Sequence, residues 1–265
     1  QLLGTGAFAS CPEHTDGYSR GYLSGVIRGD GHLASYQYER AGRAHGNQHQ
    51  FRLAMADRPP LDRTRRYLTD RGIRTFQFRF QEATPTRRRM DAIRTSARGA
   101  VDQIREIVRR PETPGTEWKR GFLAGMFDAE GSYSDGTLRI ANSDPDLVNS
   151  LVRDLDEFGF DVTVDCVAGR NVRYLRVRGG LQEHLRFFHS FDPSILRKRA
   201  LAGQALKSRA DLKVEAIEEL GVELPMFDIT TCTGDFIADG VVSHNCYARP
   251  THEYLGLSAG LDFET

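Results

Sequence analysis

Two acidic residues, Asp30 and Glu130, occupy equivalent places in a segment that the chain repeats one hundred positions later. The first copy, Arg20-Gly-Tyr-Leu-Ser-Gly-Val-Ile-Arg-Gly-Asp-Gly31, recurs as Arg120-Gly-Phe-Leu-Ala-Gly-Met-Phe-Asp-Ala-Glu-Gly131, with five of the twelve pairs identical. Carboxylates are hard oxygen ligands, so a converging pair suits a divalent cation such as Mg2+, which can acidify water and offset charge developing on a phosphate. Phosphodiester hydrolysis is the chemistry such a pair would serve. As stability devices the two acids are poorly placed, because each stands at the end of a predicted helix, against the unfavourable pole of its dipole.

The elements that must bring them together are legible in the glycines. Gly21, Gly25 and Gly29, and then Gly121, Gly125 and Ala129, fall four apart and line one face of a helix. Glycine inside a helix costs about 1 kcal/mol relative to alanine. That cost has a packing reason if the two stripes face one another at close range and their C-terminal ends meet. Gly31 and Gly131 are expected to leave the helices with positive φ. After the first helix the pattern predicts strands Leu33–Tyr38 and Gln50–Met55, a helix over Leu61–Arg71, strand Thr75–Phe80, and a segment from Met90 that ends in a helix over Val101–Val108. After the second it predicts strand Thr137–Ala141, helix Leu147–Phe158 capped by Asp144 or Asp146, strands Val162–Ala168 and Val172–Val177, and helix Leu181–Phe188. The fold class is α+β, with two αββαββα halves. Polar and apolar residues alternate in the strands, giving each sheet one face suited to reading bases, with Arg52, Arg79, Arg139, Arg173 and Arg176 as candidate DNA contacts.

Charge divides the chain. Residues 1–110 hold 20 Lys/Arg against 11 Asp/Glu, residues 111–210 balance at 14 each, and residues 211–265 hold 2 against 11. The first part suits a polyanion and the tail does not, which implies separate functional units. No run of eighteen apolar residues occurs, so a membrane partner is not expected. The chain starts at Gln1 without a basic-then-apolar leader, and its natural start is expected elsewhere. Four scattered cysteines without a Cys-x-x-Cys pair fit a reducing, cytoplasmic setting. His45 and His49 stand four apart, and His184 and His189 five apart; with no third ligand in view, both pairs read as ordinary polar positions.

Leu23-Ser-Gly-Val-Ile-Arg-Gly-Asp-Gly31 and Leu123-Ala-Gly-Met-Phe-Asp-Ala-Glu-Gly131 resemble the LAGLIDADG motif of homing endonucleases; the first departs from it at Arg28. The resemblance covers residues 18–205. It implies a pseudo-symmetric monomer that sets two saddle-shaped antiparallel sheets on double-stranded DNA, with Asp30 and Glu130 as catalytic acids and ligands for Mg2+, Mn2+ substituting. It also implies a basic residue five positions after a proline that follows the last helix of a half; Pro193-Ser-Ile-Leu-Arg-Lys198 matches, so Lys198 is the candidate. No lysine holds the like position in the first half, where Arg94 or Arg98 could substitute, and Asn142 is a candidate for polar support near the metal.

The tail carries different chemistry. Met226-Phe-Asp-Ile-Thr-Thr-Cys-Thr-Gly-Asp-Phe-Ile-Ala-Asp-Gly-Val-Val-Ser-His-Asn-Cys246 resembles the C-terminal splicing blocks of inteins. The resemblance assigns cyclisation to Asn245, proton donation to His244, the accepting thiol to Cys246 and a tuning role to Asp228. It implies a β-rich C-terminal piece of an intein (Hint) splicing domain. Gly234-Asp235 stands where the family has a histidine, and the N-terminal splicing blocks are absent. Cys246-Tyr-Ala-Arg-Pro-Thr-His-Glu-Tyr-Leu is similar to a region of radical S-adenosylmethionine proteins, which makes such a protein the expected host. The expected organisation is a linker from an upstream intein segment over 1–17, an endonuclease domain over 18–210 with halves 18–110 and 117–210, a splicing segment over 211–245, and the start of the host sequence over 246–265. Two alternatives share the fold: a splicing element whose endonuclease part binds DNA without cutting, and a transcription regulator.

Overall fold

The computed structural model describes residues 9–37, 47–166, 169, 171–199, 213–219, 221–222, 235–238 and 241–244. The chain divides into one compact unit of residues 9–204 and another made of residues 1–8 and 205–265. In the larger unit α1 (Asp16–Asp30), β1 (Gly31–Tyr36), β2 (Gln48–Met55), α2 (Arg58–Thr69), β3 (Phe76–Gln81), β4 (Met90–Thr95) and α3 (Arg98–Val108) form the first half. The second half repeats the order with α4 (Thr116–Glu130), β5 (Gly131–Ser134), β6 (Thr137–Asn142), α5 (Pro145–Glu157), β7 (Val162–Cys166), β8 (Arg173–Val177) and α6 (Gly180–Phe191), and a single 3-10 turn, Leu196–Arg199, follows. Both halves therefore read αββαββα, as the repeat predicts. The four-residue strand β5 is an addition to the predicted pattern. Its hairpin turns on Asp135-Gly136, both with positive φ, the dipeptide that favours a two-residue connection between antiparallel strands.

Each half builds a four-stranded antiparallel sheet with the same connectivity, β1-β2-β4-β3 and β5-β6-β8-β7. Leu53 pairs with Ile93, and Leu138 and Ile140 pair with Val177 and Leu175, so apolar rows from both sheets enter a common core with α1 and α4. Local signals fix the helix starts. Thr15 accepts the Tyr18 N–H at 3.1 Å to cap α1, and Asp144 accepts the N–H groups of Asp146 and Leu147 to cap α5. Asn142 is engaged in that same entry, where its Oδ1 accepts the Asp144 N–H at 2.9 Å.

The glycine stripes of α1 and α4 do face one another. A Cβ built on Gly21 would overlap the Trp118 carbonyl, and one on Gly121 would overlap the Tyr18 carbonyl; Gly25 and Gly125 repeat the exchange one turn later with Phe122 and Tyr22. At the ends of the helices the expectation of positive φ does not hold. Gly31 and Gly131 both have φ of −81° with extended ψ. Glycine is required there by space, since a side chain would run into the carbonyl of Ile27 or the ring of Phe127 in its own last helical turn.

The smaller unit contributes one described hairpin, β9 (Asp235–Ala238) with β10 (Val241–His244), in which Val241 pairs with Ala238 and His244 with Asp235. Asp228, Asn245 and Cys246 lie outside the described residues, and His244 is described by its backbone alone. No helix among the described residues is long and apolar enough to cross a membrane.

Candidate active site and nucleic-acid interface

Because α1 and α4 run in contact to their last turns, the acids that end them are brought together. A Cβ at Gly29 would meet the Ala129 Cβ, with the Glu130 Cγ 3.2 Å away. Asp30 is reached by solvent and Glu130 is half-buried. Both carboxyls titrate above their ordinary values. For Asp30 the cause is loss of water to the packed helix ends around it, even though part of its surface stays open. For Glu130 the same desolvation comes first and the charge of Asp30 second: the stronger acid ionises first, so the mutual repulsion falls on Glu130. In both cases the charge of Lys198 works in the opposite direction.

Lys198 sits in the 3-10 turn, 9% exposed, with its ammonium donating to the carbonyls of Phe127 at 3.2 Å and Asp128 at 2.7 Å. Burial lowers its pKa, while Asp128 and Asp30 act to raise it. Arg94 and Arg98 do not join this cluster. The Arg94 guanidinium lies 4.8 Å over the Phe78 ring, and Arg98 faces Asp102 at 3.6 Å. Among the described residues the site therefore has two acids and one lysine, which breaks the pseudo-symmetry of the halves. Among the described residues no group of three or more His, Cys, Asp or Glu could hold an ion. Two adjacent carboxylates fit Mg2+ bound in the manner usual at phosphate-transfer sites, where substrate phosphates and water complete the shell. The repulsion recorded in Glu130 is the charge imbalance that a cation would relieve.

Strand alternation places further residues beside the acids. In the first sheet His32, Arg52, Arg94 and Phe76 are register partners across β1, β2, β4 and β3, on the face away from the core. In the second, Ser132, Arg139, Arg176 and Thr163 form the corresponding row. Each row begins two residues after an acid and carries two arginines. Arg52 is held 4.7 Å over the Phe80 ring, and Arg139 donates to the hydroxyls of Ser132 and Ser134 at 3.1 and 2.9 Å. Arg176 pairs with Asp165 at 2.8 Å. Arg79 and Arg173 are not in these rows. Arg79 is paired across the ladder with Asp91 on the helix-bearing face and bridges to Glu82, and Arg173 shares the parity of buried Leu175 and Val177. Arg94 is the row member that the strand alternation did not single out; its opposition to Arg52 across the β2–β4 ladder is the signal that identifies it.

The histidine pairs are placed on separate tasks. His49 lies in strand β2 and its Nδ1 is 2.8 Å from the Ser35 hydroxyl, and His45 lies outside the described residues. His184 is buried, with Nε2 3.3 Å from the Val177 carbonyl.

Residues 117–190 match the model of the LAGLIDADG-like domain. Solved structures extend the likeness over both halves. The structure of I-DmoI in complex with DNA and Mn shares 18% identity, with 68% of this chain and 99% of that chain covered and a TM-score of 0.55. Mesophilic variants of the homing endonuclease I-DmoI give 19%, 69%, 99% and 0.55, and I-DmoI in complex with DNA and Ca gives 19%, 68%, 91% and 0.55. No curated protein matches the chain. At these identities the likeness is one of fold. The chain has the α+β LAGLIDADG fold, with two four-stranded antiparallel sheets and six α-helices among its described residues. In LAGLIDADG terms, α1 and α4 are the motif helices and Asp30 and Glu130 their acidic ends.

Proposed function

We propose that residues 18–210 are a monomeric, Mg2+-dependent endonuclease that cuts double-stranded DNA at a specific site. The observation that carries this reading is the meeting of Asp30 and Glu130 at the ends of two glycine-packed helices, each followed by a strand that opens onto a two-arginine row. Arginine's planar fork suits bidentate contact with guanine edges and with phosphates. Fixing the duplex against the rows would set a scissile phosphate at the helix ends. A divalent cation bound there, with Mn2+ able to replace Mg2+, supplies charge neutralisation and a more acidic water. The chain's own residues hold and orient: Asp30 and Glu130 offer the oxygen ligands, and Lys198 presents a positive charge to the phosphate as its charge develops. One chain supplies both acids, so no second copy is needed. In support, the I-DmoI structures of the same fold were solved with DNA and with Mn or Ca. The test is incubation with Mg2+ and a plasmid carrying the host gene without the insertion: a linear product is expected, and a gel shift without cutting would favour a binding-only role.

The sequence of the tail supports a second activity. We infer that Asp228, His244, Asn245 and Cys246 are the C-terminal splicing residues of an intein hosted by a radical S-adenosylmethionine protein. Asn245→Ala should stop release of the segment after Asn245, read by mass spectrometry, and leave DNA cutting unchanged; release that continues in this variant would remove the assignment.

A further inference from the structure

Resting on the endonuclease reading, we propose that Asp128 is a positioning residue that holds Lys198 at the acid pair, and that its absence from the first half is why the site has one lysine. Asp128 is 1% exposed, and its carboxylate is hydrogen-bonded by neutral donors among the described residues. The N–H of Ser194 donates to Oδ2 at 2.8 Å, that of Ile195 to Oδ1 at 3.0 Å, the Ser194 hydroxyl to Oδ2 at 2.7 Å and the Tyr22 hydroxyl to Oδ2 at 2.7 Å. A buried carboxylate needs such partners, and losing them leaves the charge unsatisfied. These donors come from the segment that leads into the 3-10 turn and from the opposite motif helix. The side chain therefore fixes where the turn begins.

The main chain of the same residue fixes where the turn acts. The Lys198 N–H donates to the Ile195 carbonyl at 3.1 Å, which sets the pitch of the turn, and its ammonium returns to the Asp128 carbonyl at 2.7 Å. Thus Asp128 holds both ends of a five-residue loop, two positions before Glu130. In the repeat the residue equivalent to Asp128 is Arg28, which is exposed and whose side chain has no acceptor to offer. There the motif helix instead meets the end of α3 through the Ser24 hydroxyl, which donates to the Val108 carbonyl at 2.8 Å, and the chain passes directly into the second half. The substitution at Arg28 and the missing first-half lysine are one feature.

A double-mutant cycle on the full chain tests this, with Asp128→Asn, Lys198→Ala and the pair measured against the parent protein. Asparagine keeps the size but turns one acceptor into a donor facing Ser194. The expected loss in single-turnover cleavage with Mg2+ is about 10- to 100-fold for Asp128→Asn, the scale of a displaced catalytic group. Duplex affinity measured in Ca2+ should stay within about 3-fold, because the arginine rows are untouched. With Lys198 already replaced, Asp128→Asn should change the rate less than about 3-fold, since a residue that acts through another has nothing left to position. An equal loss in both backgrounds would make Asp128 merely structural and overturn the inference, as would an undiminished rate in the single variant. If Asp128→Asn does not fold, Ser194→Ala removes one donor and should show a smaller loss that again vanishes in the Lys198→Ala background. A parent protein that binds but cuts no duplex defeats the endonuclease reading itself, whereas a cutting parent with an additive cycle defeats only this step.

Discussion

Gly21 of α1 lies so close to the Trp118 carbonyl of α4 that no side chain fits between them, and Gly121 meets the Tyr18 carbonyl in the same way. The separation of the two motif helices is set by backbone against backbone, which is what delivers Asp30 and Glu130 to one place. Gly21→Ala or Gly121→Ala should therefore destabilise the unit by about 1–3 kcal/mol or more, the cost of overpacking, despite alanine's better helix propensity. At Gly99, in α3, an added methyl group would meet nothing within 4 Å, and Gly99→Ala should stabilise by about 0.5 kcal/mol. Thermal melts of the three variants separate the two causes by sign.

The acid pair predicts an exchange of activity for stability. A carboxyl whose pKa is raised on folding holds its proton better in the folded state, so at neutral pH its ionisation weakens the fold. Asp30→Asn or Glu130→Gln should abolish cutting, retain duplex binding and raise the Tm of the metal-free protein by about 1–2 °C. Mg2+ should raise the Tm of the parent and have no such effect on the double variant. A parent Tm indifferent to Mg2+ would argue against an ion at these carboxylates.

One lysine for two acids predicts unequal strands. Lys198→Ala should slow one strand more than the other, so that nicked duplex accumulates before linear product. Strand-specific end labels read this directly, and equal slowing of both strands would contradict it.

The arginine rows predict a face-dependent loss of affinity. Arg52→Ala, Arg94→Ala and Arg139→Ala should each weaken duplex binding and lower the salt slope by about one where a phosphate is contacted. Arg79→Ala, on the opposite face, should leave affinity within about 2-fold.

Far from the acids, Asp192 predicts acid sensitivity. Burial acts to raise its pKa, but the hydrogen bond from Arg199, the charges of Arg63 and Arg199 and the contact with His14 outweigh it and hold the carboxyl below its ordinary value. A depressed carboxyl contributes stability above the ordinary range, near pH 4, and that stability is lost as pH falls through the lower folded value. Asp192→Asn should lower Tm at pH 7, with the gap to the parent closing toward pH 3.

The halves, their αββαββα order and the convergent acids are readable in the sequence because each rests on a periodic signal: glycines four apart, strand alternation and a hundred-residue repeat. What escapes it depends on three-dimensional pairing. In Phe76–Gln81 alternation suggests apolar residues inward and Arg79 outward, yet Phe76 is 74% exposed. β3 is an edge strand whose Phe78 and Phe80 turn to the open face because the Arg94 and Arg52 guanidiniums stack on them. Asp128 likewise carries no local sign of its role, since its donors come from residues 22, 194 and 195. The hairpin at Asp135-Gly136 is the one omission that a short-range signal could have supplied.

The central claim is tested most directly by offering the protein, with Mg2+, a library of duplexes of random sequence and sequencing the cut ends. The account predicts a recurrent cut sequence with the parent protein and none with Asp30→Asn/Glu130→Gln, although both proteins select the same duplexes in a binding assay. Recurrent cutting by the double variant, or selective binding by the parent with no cut ends at all, would contradict it.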